Sequence, residues 1–139
     1  MTPTELSLIY SAAFPHSRSW SEREFADLLN EPFTYLCTCP NGFSLGRALA
    51  GEAELITIAV HPDAQGKGSG RILLRRFEEQ ACSHAADIAF LEVAANNMPA
   101  IRLYTASGYR ESGRRRGYYR SENGQKTDAL ILKKSLICA

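Results

Sequence analysis

The chain predicts an α/β fold of the α+β type, a central mixed, mostly antiparallel sheet flanked by helices. Three observations carry this. An apolar run at 54–60 enters a glycine-rich turn, an amphipathic helix follows, and a near-continuous apolar run at 87–94 closes the unit. That βαβ pattern makes the two strands parallel, with a right-handed crossover. Strand-like runs on either side are paired around Pro40-Asn41-Gly42 and Glu122-Asn123-Gly124, with Asn-Gly a strong hairpin signal. Two helical segments come before all of them. The 139 residues suit one domain, 1–139, long enough for one real hydrophobic core.

Taken in order, Thr4 to Phe14 carries Leu6, Ile9, Tyr10 and Ala13 on one helical face. Pro15 to Ser19 breaks it. Ser21, three residues before Glu24, makes a capping box for a second helix through Leu29, which Asn30 and Pro32 close. Phe33 to Cys39 has strand composition, and Phe43 to Ala50 returns from the turn. Gly51-Glu52 turns again, ahead of the strand at 54–60. The helix after the glycine turn runs from Ser69 to His84 with Leu73, Leu74, Phe77 and Ala81 on its core face. Asp87 to Ala94 is a strand interrupted only by Glu92. Asn96-Asn97 and Pro99 open a further helix, which carries Ile101 and Tyr104 and ends at Gly108. Tyr109 to Tyr119 and Thr127 to Leu136 complete the order α, α, β, β, β, α, β, α, β, β.

Hydrophobic residues make up 45% and charged residues 22%, ordinary values for a soluble globular protein. A net charge of +1 gives no general case for nucleic-acid or membrane binding. Arg114-Arg115-Arg116, with Arg110 and Arg120 nearby, forms a local basic run. Such a run is more often a solvated face, the alternative being a surface that steers an acidic partner. No apolar stretch approaches the roughly 18 residues that cross a bilayer. The N-terminus lacks a basic region followed by an apolar core, so a cytoplasmic location is expected. Cys37 and Cys39 would share one face of a strand, and no zinc spacing exists. No metal is expected, and Cys37, Cys39, Cys82 and Cys138 are expected as reduced, small buried hydrophobes.

The glycine turn, Gln65-Gly66-Lys67-Gly68-Ser69-Gly70-Arg71, is where chemistry is most legible. A helix N-terminus has unpaired N–H groups and a positive dipole end, and glycines let a phosphate approach the backbone. The turn fails as a phosphate loop of the G-x-x-x-x-G-K-[ST] type, because no glycine stands at the upstream position. Its G-x-G-x-G spacing is also wrong for a dinucleotide fingerprint. What remains is Q-x-x-G-x-G, or else a flexible turn with no ligand.

With Ile58-Ala59-Val60-His61-Pro62 before it, this loop resembles the acetyl-CoA pyrophosphate loop of the GCN5-related N-acetyltransferases. The likeness continues through Leu91-Glu92-Val93, Asn97, Ala100-Ile101, Leu103-Tyr104, Gly108-Tyr109 and Arg115-Arg116-Gly117-Tyr118-Tyr119. Phe14-Pro15 and Trp20-Ser21 extend it toward the N-terminus. The subfamily most similar is that of the bacterial ribosomal-protein alanine N-acetyltransferases. The resemblance implies that family's fold, acetyl-CoA as co-substrate, and direct transfer through a ternary complex to a protein N-terminus. The acceptor expected is Ala or Ser of a ribosomal protein, with no direct nucleic-acid or membrane partner, and the protein a monomer or weak dimer. Two departures bear on the acceptor. Gly117 stands where the subfamily usually has asparagine, and His16-Ser17-Arg18-Ser19 alters the loop before Trp20.

The site residues expected on this basis divide by task. Backbone N–H groups of Gly66, Lys67, Gly68, Ser69, Gly70 and Arg71 would hold the pyrophosphate. The strand edge at Ile58, Ala59 and Val60 would pair with the pantetheine arm and polarise the thioester carbonyl. Asn97 would bond the cofactor arm, or act only as a helix cap. Glu92 is the candidate base, since an unpaired carboxylate buried in a strand would have a raised pKa; it could equally stand at the strand's wet end. Glu54 is the rival. Tyr104 is the candidate acid, a phenol able to protonate a leaving thiolate, or else a core aromatic. Tyr118 and Tyr119 would shape the acceptor groove, or simply be strand aromatics. Two alternatives stand beside N-terminal acetylation: acetylation of a small free amine, and a non-catalytic acyl-CoA-binding module.

Overall fold

The computed structural model describes residues 1–120 and 123–138. Helices α1 (Pro3–Ala13) and α2 (Glu22–Asn30) lead into strands β1 (Thr34–Cys39), β2 (Gly42–Leu49) and β3 (Glu52–Val60). Helix α3 (Ser69–Ser83), β4 (Ile88–Ala94), α4 (Met98–Ala106), β5 (Arg110–Arg120) and β6 (Lys126–Ser135) follow. The strands form one sheet in the order β1-β2-β3-β4-β6-β5. The β3–β4 pair is parallel and every other pair antiparallel. The mixed sheet expected from the sequence is therefore the sheet observed.

Local chemistry accounts for the element ends. Thr2 with Glu5 and Ser21 with Glu24 make reciprocal capping boxes at α1 and α2. The β2–β3 hairpin turns at Ala50-Gly51, both at positive φ, the twist a two-residue hairpin demands. Most boundaries shift by a residue or two from expectation, and three shifts have a clear local cause. Phe33 has a φ of 70° and stays outside β1; the left-handed residue of the first hairpin is Asn41, so Gly42 already belongs to β2; and Glu52 opens β3. Of the final turn, Glu122 lies outside the described residues.

The helices cover opposite faces. Along β2, Phe43 and Leu45 join an apolar cluster with Leu6 of α1 and Phe25 of α2. Between them, the Ser44 hydroxyl donates to the Leu73 carbonyl, and Gly46 sits under Phe77, both on α3. Strand alternation thus puts α1 and α2 on one face and α3 on the other. The larger cluster joins Leu55, Leu74, Phe77, Leu91 and Val93 to Tyr104 of α4. Each fully buried Phe or Leu contributes about 1.5–3 kcal/mol.

The cysteine expectation needs correction. Cys37 is buried and free, and Cys39 is free, but Cys82 and Cys138 form a disulfide across 56 residues. It ties the last turn of α3 to the segment after β6. No sequence pattern announced it, because the thiols meet only after β6 has crossed beside β4. Nearby, the Tyr109 hydroxyl donates to Glu78, whose other oxygen is paired with Lys134 at 2.9 Å. Burial, helped by the Glu78 carboxylate, raises the Tyr109 pKa far above its ordinary value.

Two outcomes are expected. A cross-link over so long a loop contributes about 2–4 kcal/mol, so a dithiol reductant should lower Tm by roughly 10 °C. Cys138→Ser should melt with the reduced wild type, and no shift in either would mean that the bond does not form in solution. A hydroxyl with a raised folded-state pKa gives stability that is complete below the unfolded value of about 10 and lost as pH climbs toward the folded value. Urea midpoints should therefore fall above about pH 10, and Tyr109→Phe should flatten that fall.

Candidate active site

The sheet is continuous only at one end of its centre. β3 and β4 pair at Glu52–Ile88, Ala53–Ala89 and Glu54–Phe90, and no further. Beyond that point β3 stays with β2 and β4 stays with β6. The cause lies in β3. Leu45 pairs with Thr57 and Gly46 with Leu55, so Ile56 is an extra residue, a bulge that bends β3 away from β4. The result is a wedge between two parted strands.

The wall of this wedge is set by backbone phase. Hydrogen-bonded and non-bonded pairs alternate along an antiparallel ladder. The His61 N–H donates to the Asn41 carbonyl, which makes 43–59 the next bonded pair. Ala59 is therefore turned toward β2. Ile58 and Val60 turn their N–H and C=O groups toward the wedge, where β4 no longer meets them. The Val60 carbonyl accepts from Gln65 Nε2 at 3.0 Å, which folds the glycine turn back over the end of β3.

That turn leads straight into α3. Gly66 and Gly68 have φ of 78° and 81°, and a Cβ on either would meet nothing within 4 Å. Their requirement is thus conformational, and the space above them is clear. Thr2, Ser21 and Asn97 cap their helices with side chains, whereas the α3 N-cap is Gly68, with no side-chain bond. The first N–H groups of α3 are left for an anion. Lys67 is exposed beside them, and Gly70 lies in the first turn of α3 against Leu103. Arg71 lines a groove of about 690 Å³ between α3 and α4, together with Arg75, Arg102 and Lys134. Asn97 accepts from the Ala100 N–H at 3.4 Å, so it caps α4, and its amide NH₂ has no partner among the described residues.

Glu92 projects from the α1–α2 face of β4, opposite to buried Leu91 and Val93. Of the two placements considered from the sequence, it is not the sealed, unpaired carboxylate but a partly exposed one. Its side chain is 25% exposed, and Oε1 pairs with Arg115 Nη2 at 3.2 Å. Arg115 reaches it from β5, diagonally across β6. The guanidinium also lies 5.2 Å from the centre of the Tyr118 ring, which is edge-on to Tyr119. Burial first, then the charges of Glu92, Tyr118 and Tyr10, raise the Tyr119 pKa. Tyr10, on α1, is stacked on Trp20 at 4.7 Å. Glu92, Arg115, Tyr118 and Tyr119 thus form one charged and aromatic cluster, and Tyr10 with Trp20 forms an aromatic pair on the same face of the sheet.

The strand carrying the tyrosine pair bulges just before it. Five residues of β5, from Arg115 to Tyr119, face only three of β6, from Ala129 to Thr127. Asp128 holds this bulge, accepting from the Gly117 N–H at 2.8 Å and from Arg114 at 3.0 Å. Those two bonds lower the Asp128 pKa, the backbone bond most. Gly117 has a φ of 60°, a conformation that glycine and asparagine adopt most readily. Glycine meets this bend without strain.

Tyr104 sits on the other face, 9% exposed in the α3–α4 core and edge-on to Tyr109 at 6.0 Å. Burial pushes its pKa up to about 12. Its hydroxyl has no partner among the described residues, yet the sealed, unpartnered side-chain oxygen is Thr34 Oγ1 alone. The Tyr104 hydroxyl is thus not closed off. Glu54 is engaged elsewhere, paired at 2.7 Å with Arg47, which also holds Glu31. Sequence reasoning missed Arg115, Tyr10 and Arg102 as site residues. The Arg-Arg-x-Tyr-Tyr spacing was a usable signal for Arg115; nothing local marked the other two.

With this geometry in hand, comparison with known proteins is informative. Ribosomal protein bS18-alanine N-acetyltransferase of Escherichia coli K12 is 36% identical over 121 residues, covering 84% of this chain and 81% of that protein. The crystal structure of the Escherichia coli ribosomal-protein-S18-alanine N-acetyltransferase superposes with a TM-score of 0.86 at 30% identity, over 99% of this chain and 89% of that one. The structure of yncA from Salmonella typhimurium, solved with its cofactor acetyl-CoA, shares the fold at a TM-score of 0.76 and 21% identity, over 96% of this chain and 88% of that one. The family model of the acetyltransferase (GNAT) family matches residues 4–109. A strand pair parted by a bulge, a bare helix N-terminus beside it and this breadth of likeness agree: the chain belongs to the GNAT acetyltransferase family.

Proposed function

We propose that this N-acetyltransferase moves an acetyl group from acetyl-CoA directly to the α-amino group of a protein N-terminus. The expected acceptor is Ala or Ser, on a ribosomal protein of the bS18 kind. The observation that carries this is the wedge between β3 and β4, with Glu92 on one face and Tyr104 on the other. A linear thioester fits such a slot, and the two faces keep donor and acceptor apart until they meet in it.

The residues present suit the cofactor. The N–H groups of Ile58 and Val60 offer an extended arm the hydrogen bonds that β4 does not make. The turn from Gly66 to Arg71 offers backbone donors to a pyrophosphate, and Arg71 and Arg102 add positive charge in the adjoining groove. Acetyl-CoA, when bound, supplies the acyl group as an activated thioester. Glu92 accepts the proton of the incoming amine, directly or through water. An α-amine has a pKa of about 8, so modest help frees it at neutral pH. Tyr104, fully protonated at neutral pH, stands as the proton donor to the departing sulfur. Tyr118, Tyr119, Tyr10 and Trp20 shape the approach of the peptide.

The deciding experiment is intact-mass analysis of short peptides incubated with the protein and acetyl-CoA. Free Ala, Ser, Met and Lys N-termini are compared with N-terminally blocked copies containing an internal lysine. A gain of one acetyl group on free Ala or Ser alone is expected; transfer to free small amines but to no peptide would replace this acceptor class. Tyr104→Phe should lower kcat by about 10²-fold, the scale of general-acid help, with acetyl-CoA affinity unchanged by calorimetry. Gly68→Ala places a side chain at a left-handed φ costing about 1–2 kcal/mol. It should therefore weaken acetyl-CoA roughly tenfold, with wild-type kcat at saturation.

A further inference from the structure

We infer that Arg115 is a positioning residue for the transfer, one that aims Glu92 at the acceptor amine and keeps that amine neutral. The inference rests on the proposed role of Glu92 and goes beyond it. Arg115 stands opposite Ala129 of β6 and Glu92 opposite Ile131, so the ion pair runs diagonally across β6. Its Nη2 stands 3.2 Å from Glu92 Oε1 as an ion pair, and Glu92 Oε2 has no partner among the described residues. A glutamate side chain turns freely about its bonds, so an unpinned carboxylate would spread its lone pairs over many directions. The attraction of Oε1 to the guanidinium favours orientations that leave Oε2 facing away from Arg115, free to accept a proton.

The second effect is one of charge. A cation near an amine disfavours the ammonium form of that amine, and only the neutral amine attacks. Arg115 is permanently charged, and the Tyr118 ring under its guanidinium steadies it there. The groups facing this pair are Tyr118 and Tyr119 on β5 and Tyr10 on α1. Neighbouring Arg114 is occupied with Asp128 and Glu111, so it does not compete for Glu92. The Arg115 side chain is 54% exposed, where an ion pair contributes little to stability. The pair is better explained by what it does to Glu92 than by what it adds to the fold.

The test is a double-mutant cycle with Glu92→Gln, read on kcat for an Ala-peptide. Arg115→Gln should lower kcat about tenfold in the wild-type background and less than about twofold in the Glu92→Gln background, because residues acting as a unit are not additive. Tm and acetyl-CoA affinity should stay at wild-type values, and Arg115→Lys, which keeps the charge, should recover most of the loss. A second readout needs no turnover: the guanidinium ¹⁵N–H signals of Arg115 should be slowed in exchange in the wild type and lose that protection in Glu92→Gln. An equal fall in both backgrounds, no fall at all, or unprotected Arg115 signals in the wild type would overturn the role of Arg115. A wild type that acetylates no peptide would instead overturn the reading of the site on which it rests.

Discussion

One extra residue in β3 governs this molecule. Ile56 has no partner in β2, and the bend it introduces separates β3 from β4 after three paired residues. An internal strand without a neighbour leaves N–H and C=O groups unsatisfied, which a fold avoids unless something else binds there. At Ile58 and Val60 the exposed groups line a slot that crosses the sheet from the α3–α4 face to the α1–α2 face. The bare N-terminus of α3 opens at the end of that slot because the same β3 leads straight into the glycine turn. The open strand edge and the glycine turn lie side by side because one strand carries both.

The two faces of the slot differ in character. On the α3–α4 face, Tyr104 belongs to the hydrophobic core, where dry surroundings hold its proton firmly. On the α1–α2 face, Glu92, Arg115, Tyr118, Tyr119 and Tyr10 form a wetter, charged and aromatic surface. Tyr104 and Glu92 thus occupy environments of opposite polarity on the two faces of the sheet. Strand alternation alone achieves this: Leu91 and Val93 point one way and Glu92 the other.

The acceptor side depends on the β5–β6 hairpin. Asp128 ties the bulge at Gly117, and that bulge sets the direction of the tyrosine pair. Most of the basic run is accounted for on this hairpin too. Arg114 braces Asp128, Arg115 turns inward to Glu92, and Arg110, Arg116 and Arg120 remain on the solvent side of an edge strand. Charge on an edge strand also discourages pairing with other chains.

Element order, the parallel β3–β4 pair and the core faces of the helices were all legible in the sequence. Apolar periodicity and turn chemistry are local properties, written within a few residues of where they act. The glycine turn was legible for the same reason, since left-handed φ at Gly66 and Gly68 is a demand on those residues themselves. The ion pair of Arg115 with Glu92, the approach of Tyr10 to Tyr119 and the Cys82–Cys138 bond were not. Each joins residues far apart in the chain, brought together by strand order, by the bulge at Ile56 and by α1 packing back over the sheet. The sequence by itself determined which groups the site has to work with. Only the tertiary structure decided that Glu92 is paired, that Glu54 is engaged with Arg47, and that Tyr104 is buried in the α3–α4 core, because long-range contact alone sets what stands beside each group.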